Sequence, residues 1–153
     1  LDTSLRKWGR PYLNRKFFNK IGETMSENIL LILAKRDGEW IAGALNMMGS
    51  NTLFGRYWGC LEHHNFLHFE ICYYQAIEFA IENKYLAVEA GAQGPHKLSR
   101  GYLPQHTYSA HWLSNPNFRQ AVKDYLTYER ELVHDNMQVF ADFSPFKKSS
   151  DRN

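Results

Sequence analysis

From Glu89 to Tyr102 the chain reads Glu-Ala-Gly-Ala-Gln-Gly-Pro-His-Lys-Leu-Ser-Arg-Gly-Tyr, which gathers a carboxylate, an amide, an imidazole, two cations and three glycines in one short run. That puts a carboxylate, an imidazole and two cations within reach of one ligand, the layout of a site more than of a core, where a carboxylate can serve as a general base. Glu89 is one candidate base and Glu70 the other. Helical spacing aligns Glu70 with Tyr74, Ile77 and Ile81, a face expected to point inward, and a buried carboxylate is rare unless it is used or paired. Lys97 and Arg100 suit a substrate carboxylate or phosphate, arginine as a bidentate fork and lysine as a point charge. Arg56, Gln93, His96 and Tyr102 complete the candidate substrate-binding set. Gly91, Gly94 and Gly101 allow tight turns and close approach of backbone to ligand. Plainer readings stand beside these: Glu89 is solvated or paired with Lys97 or Arg100, and Lys97 by itself suits a solvated loop.

Other chemistries fit less well. Cys60, His63, His64 and His68 invite a zinc reading, yet adjacent histidines on a loop point apart and no second Cys or His pair completes a tetrahedral set, so no metal is expected. Cys72 falls among apolar residues of a helix, where a thiol packs. Cys60 near His63 is the more reactive thiol, but no orienting acid is evident, and covalent catalysis is not expected. Arg6, Lys7, Arg10, Arg15, Lys16 and Lys20, interleaved with Trp8, Tyr12, Phe17 and Phe18, offer nucleic-acid phosphates a basic face; an amphipathic helix with a solvated side explains the same pattern and is preferred.

These residues must be held by ordinary elements. The 153 residues are 44% hydrophobic and 22% charged, a globular composition suited to one domain. A net charge of +2 argues for neither nucleic acid nor membrane by itself. Two cysteines make no disulfide framework, and a cytoplasmic location is the expectation. The longest apolar run, Ile29 to Ala34, is far short of the roughly 18 residues of a membrane span, so none is expected.

Thr3 to Gly22 reads as two short helices separated by Gly9 and Pro11. Strands follow at Ile29 to Lys35, Trp40 to Met48 and Leu53 to Cys60, with Asp37-Gly38 as a hairpin turn. Asn65 is placed to cap a largely buried helix from Phe66 to about Lys84, with His68, Gln75 and Glu82 as its polar stripe. Leu86 to Ala92 and His106 to Leu113 read as strands, and Asn115-Pro116 opens a long amphipathic helix. The expected class is α/β (α+β): a mixed, mainly antiparallel sheet flanked by helices, in one domain over residues 1–141 with a polar tail at 142–153.

Several segments together carry a family resemblance: Trp8-Gly9-Arg10-Pro11-Tyr12-Leu13, Gly55-Arg56-Tyr57-Trp58-Gly59-Cys60, Leu67-His68-Phe69-Glu70 with Cys72-Tyr73-Tyr74-Gln75, and Glu89 to Tyr102. They resemble the FemAB-like proteins of the GNAT superfamily, over nearly the whole chain up to the last helix. The likeness is to the C-terminal half of longer members, so the chain is expected to be part of a longer protein. It implies a GNAT-like acyltransferase fold and transfer of an acyl or aminoacyl group to an amine, possible acceptors including a peptidoglycan-type peptide. The alternative is a non-catalytic module that recognises a peptide or cell-wall fragment. The donor would be acyl-CoA or aminoacyl-tRNA, with a small-molecule or peptide acceptor. Relatives are expected to carry an acid where Pro95 stands; its role would then pass to Glu89 or Glu70. The Q/R-x-x-G-x-G/A pyrophosphate loop of coenzyme A enzymes has no match in Glu62-His63-His64-Asn65-Phe66, which speaks against the usual coenzyme A mode.

Overall fold

The computed structural model describes residues 13–91 and 95–146. The first of the two expected N-terminal helices therefore lies outside the described residues, as do Gln93 and Gly94. The chain divides into two compact units, Leu1–Gln93 and Gly94–Asn153.

In the first unit, helix α1 (Arg15–Thr24) starts at Asn14, whose side chain accepts a hydrogen bond from the Phe17 amide. Three antiparallel strands follow, β1 (Ile29–Arg36), β2 (Glu39–Met48) and β3 (Thr52–Cys60), within a residue or two of the sequence expectation. Asp37 and Gly38 both have positive φ, 50° and 88°, the conformation that a two-residue turn needs to match the twist of its strands. Strand β4 (Ala87–Glu89) adds to β3 in parallel, giving a mixed four-stranded sheet in the order β1-β2-β3-β4. The observed class is the expected mixed α+β arrangement of a mainly antiparallel sheet with helices.

Between β3 and β4 runs helix α2, residues 67–82, and its core contacts explain the small residues of β2. Ala42 and Ala44 pack with Ile71, and Ile32, Ala34, Trp58, Cys60, Leu67 and Cys72 close around them. Alternation on the strands turns these side chains to one face. Leu53 and Ala76 are buried completely, and Asn46, 1% exposed, donates from Nδ2 to the Leu30 carbonyl at 3.4 Å.

Three expectations are corrected. Asn65 does not cap α2; Phe66 stands at its start with φ 67° and no side chain caps it. The helix is also not uniform, since Glu70–Tyr74 forms a π-helical turn in which the Gln75 amide reaches the Glu70 carbonyl. Each π-turn carries one residue more than an α-turn, so it rotates the positions around it out of α phase. The buried positions are Ile71, Tyr73, Ala76 and Ala80, whereas Glu70, Tyr74 and Ile81 are exposed. The inward face assigned to Glu70 is thus overturned. His68, assigned to the polar stripe, lies edge-on to Trp58 with ring centroids 5.3 Å apart.

In the second unit, residues 95–100 form a 3₁₀ turn (Pro95–Arg100), and α3 (Pro116–Asp142) begins as expected, with Asn115 Oδ1 accepting from the Phe118 amide and proline in the first turn. Residues 106–113 do not form the expected strand. Their alternation is real, but Tyr108 and Trp112 are 91% and 81% exposed, and alternation makes a stable strand only where it buries one face against neighbours.

Candidate functional site

Glu89 owes its place to the end of the β3/β4 ladder. The parallel rungs are Thr52 with Ala87, Leu53 with Val88 and Phe54 with Glu89; β4 stops there while β3 continues to Cys60. Just beyond the last rung β3 carries a bulge: Tyr57 opposes Leu45 and Gly55 opposes Asn46, leaving Arg56 as the extra residue. A bulge re-aims the side chain it carries. Here it sets the Arg56 guanidinium 5.0 Å from the centre of the Phe54 ring, with Nη1 3.7 Å from Glu89 Oε1 and 3.3 Å from the Gly55 carbonyl it donates to. Both side chains are close to half exposed, so the pair adds little to stability, typically under about 1 kcal/mol. It sets a cation beside the carboxylate. Gly55 permits this approach, because a Cβ there would stand 3.3 Å from the Glu89 carbonyl oxygen.

Glu70 is placed elsewhere. Its Oε1 accepts from Gln75 Nε2 at 2.9 Å, and the same amide donates to Glu78 Oε2 at 3.1 Å, on the exposed side of α2. Spacing of five residues between Glu70 and Gln75 is what the π-turn brings into line. Glu70 and Glu89 therefore make separate sets of polar contacts.

The other candidates lie in the second unit, apart from Gln93, which is outside the described residues. The Pro95–Arg100 turn folds on itself: Arg100 Nη1 donates to the His96 carbonyl at 2.7 Å and to Ser99 Oγ at 3.1 Å, and the Tyr102 amide donates to the Lys97 carbonyl at 3.2 Å. Gly91 and Gly101 have φ of 76° and 86°, so the turning role expected of them holds. Burial lowers the Lys97 pKa below its ordinary 10.5. The unfolded chain then holds this proton to higher pH than the folded one, so the contribution of Lys97 to stability rises with pH through the interval from the lowered value up to 10.5. Lys97→Met is expected to remove that rise, read as a flatter pH dependence of the melting temperature in alkaline buffer; an unchanged slope would contradict it.

A second cluster joins Glu62 and Arg36, which sequence reasoning missed, to Cys60, His63, His64 and His68, which it weighed for zinc. Trp58, Cys60, Glu62, His63, His64, Leu67 and His68 line a cavity of about 260 Å³ between the end of β3 and the start of α2. At its rim Glu62 Oε2 lies 2.8 Å from Arg36 Nη2 and 3.0 Å from His64 Nε2, and Arg36 Nη1 is 3.2 Å from the same imidazole nitrogen. Glu62 is thus a carboxylate directed at an imidazole near Cys60. The signal was a charged residue two places after a strand, but its partner Arg36 is 26 positions away, and it takes the pairing of β1 with β2 and of β2 with β3 to bring it there. Among the described residues no three His, Cys, Asp or Glu side chains converge on a point that could hold a metal ion, and no helix is long and apolar enough to cross a membrane.

A protein-family model described as FemAB-like, peptidoglycan biosynthesis/recognition, matches residues 1–148. No curated protein and no solved structure matches significantly.

Proposed function

Because the chain belongs to the FemAB-like family of peptidoglycan biosynthesis and recognition, we propose that it transfers an acyl or aminoacyl group to an amine on a peptidoglycan-type peptide. The observation that carries this reading is Glu89 held by the bulge-borne Arg56 where the β3/β4 ladder ends. In the proposed step the acceptor amine attacks the acyl carbonyl, Glu89 takes the proton released from nitrogen, and the donor's ester or thioester bond breaks with a proton going to the leaving group. Arg56 orients the carboxylate. By residue type alone, His96, Lys97, Arg100, Tyr102 and Gln93 are proposed to bind substrate, with the two cations on its anionic groups, and the step itself is drawn on Glu89 and Arg56. Glu70, engaged with Gln75, is given no part in the step.

An aminoacyl ester such as aminoacyl-tRNA suits the chain better as donor than acyl-CoA. The amides of Leu67, Phe69 and Glu70 in the first turn of α2 already donate to the His64 and Phe66 carbonyls, and Glu62 adds negative charge to the same loop. A pyrophosphate needs open amides and no nearby anion. A second reading, recognition of a peptide or cell-wall fragment without turnover, is favoured by the cavity at Trp58 and His68, which offers ring faces and polar rims to a ligand.

Binding and transfer assays decide between them, with aminoacyl-tRNA, acyl-CoA and an amine-bearing muropeptide as probes. Transfer from the aminoacyl ester supports the first reading. Muropeptide binding without turnover supports the second, and failure of the folded protein to bind any probe removes both.

A further inference from the structure

Ala42, Ala44, Asn46 and Met48 alternate along β2 onto the face that meets Ile71 of α2, and Asn46 is the polar member of that row, 1% exposed. Its Nδ2 reaches the Leu30 carbonyl on β1 at 3.4 Å. Burying an amide costs free energy that an apolar side chain in the same row would not, and fixing register is the best-attested use of a buried polar group. Register changes at this residue. On β3, Trp58 and Cys60 lie opposite Ala44 and Ala42, and beyond the bulge Gly55 and Leu53 lie opposite Asn46 and Met48. The bulge thus lets even-numbered and odd-numbered residues of one strand face the same core, which buries Leu53 completely. Phe54 falls on the other face, and Arg56 stands over its ring.

We propose that Asn46 is the positioning residue of the Arg56–Glu89 pair: its buried amide, bonded to β1 and lying against Gly55, keeps that glycine opposite itself and so makes Arg56 the residue that bulges. The place across from the amide suits glycine. A Cβ on Gly55 would already touch, 3.6 Å from Asn46 Oδ1 and 3.3 Å from the Glu89 carbonyl oxygen, and a longer side chain has to displace one of them. A shift of the bulge that set Arg56 opposite Asn46 would turn the guanidinium onto the core face, away from Phe54 and the Glu89 carboxylate. Asn46 therefore acts through the backbone of β3. Its consequence for turnover rests on the transferase reading above, whereas its hold on the bulge does not.

The test compares wild type with Asn46→Leu and Asn46→Ala in the whole 153-residue chain. Leucine keeps the branching and removes the polarity; alanine serves if leucine overpacks the site. In wild type, nuclear magnetic resonance is expected to show cross-strand contacts of Leu45 with Tyr57 and of Asn46 with Gly55, a slowly exchanging Asn46 side-chain amide, and Arg56 side-chain signals shifted by the Phe54 ring. Melting curves check that the variants fold. In a folded variant the contact between position 46 and Gly55 is expected to weaken and the ring shift of Arg56 to disappear, which loss of stability alone would not produce. With an active donor and acceptor, kcat is expected to fall by about 10- to 100-fold, the effect of a small misplacement, at little change in the acceptor's KM. A folded variant that keeps the wild-type register and the Arg56 shift overturns the proposal. So does a wild-type Asn46 amide that exchanges as freely as an exposed one. Loss of the Arg56 shift in a chain that transfers no acyl group, or with kcat unchanged, upholds the positioning by Asn46 and instead removes Glu89 from a transfer reaction.

Discussion

Glu89→Gln is expected to lower the turnover of acyl transfer by about 10²–10⁴-fold, the usual worth of a positioned general base, while leaving the fold intact. Glutamine has the same shape and retains an oxygen that Arg56 can hold, so the side chain stays where the bulge aims it. At 45% side-chain exposure the exchange buries no new polar group, and stability is expected to stay within about 0.5 kcal/mol of wild type. The kinetic pattern is specific. A base acts on a proton that moves only in the transition state, so kcat falls while KM for the acceptor hardly changes. A rise in KM at constant kcat would instead make Glu89 a binding residue, and unchanged kinetics would exclude it from the site. Arg56→Lys is the companion variant: it keeps the charge and loses the planar fork, so a positioning role predicts an intermediate loss.

Leu53→Ala is expected to destabilise the protein by about 2–5 kcal/mol, the range for a leucine removed from a closed core. Leu53 is fully buried and pairs on both sides, with Met48 on β2 and with Val88 on β4. For a chain of this size a loss of about 3 kcal/mol corresponds to a fall of roughly 6–12 °C in melting temperature. The rung next to Leu53 is the one that places Glu89, so the cavity is expected to loosen the carboxylate as well as the core. Turnover per folded molecule should then fall at temperatures where the variant is fully folded. Denaturant titration with the same midpoint as wild type would show that the site can collapse around the missing atoms, and would remove the basis for the second effect.

Local chemistry was legible wherever it was self-sufficient. Asp37-Gly38 makes its own turn, Asn115 makes its own cap, and the period-two runs of β1, β2 and β3 find one another because each lies next to its partner along the chain. Gly91 and Gly101 likewise turn as their residue type allows. Where an element depended on something outside itself the reading failed. Residues 106–113 alternate like a strand but do not form one, and Asn65 is a good cap residue bypassed by the αL conformation of Phe66.

For the site, residue types pointed to Glu89 and Arg56, and the family resemblance was carried by motifs that a family model then matched across 1–148. Their meeting was decided by tertiary structure. A one-residue bulge in β3 and the early end of β4 put the two together, and neither has a sequence signature, because both follow from how strands of unequal length and curvature are paired. Glu70 shows the converse. Its inward assignment rested on the face it shares with Tyr74 and Ile81, and that face is exposed while Ile71, Tyr73, Ala76 and Ala80 are the buried positions. The sequence by itself thus determined the elements, the family and the chemical groups available, since these depend on neighbours within a few residues. Which carboxylate stands beside a cation, and that Arg36, Glu62 and His64 form a cluster at all, depended on register and helical phase, which long-range packing decides.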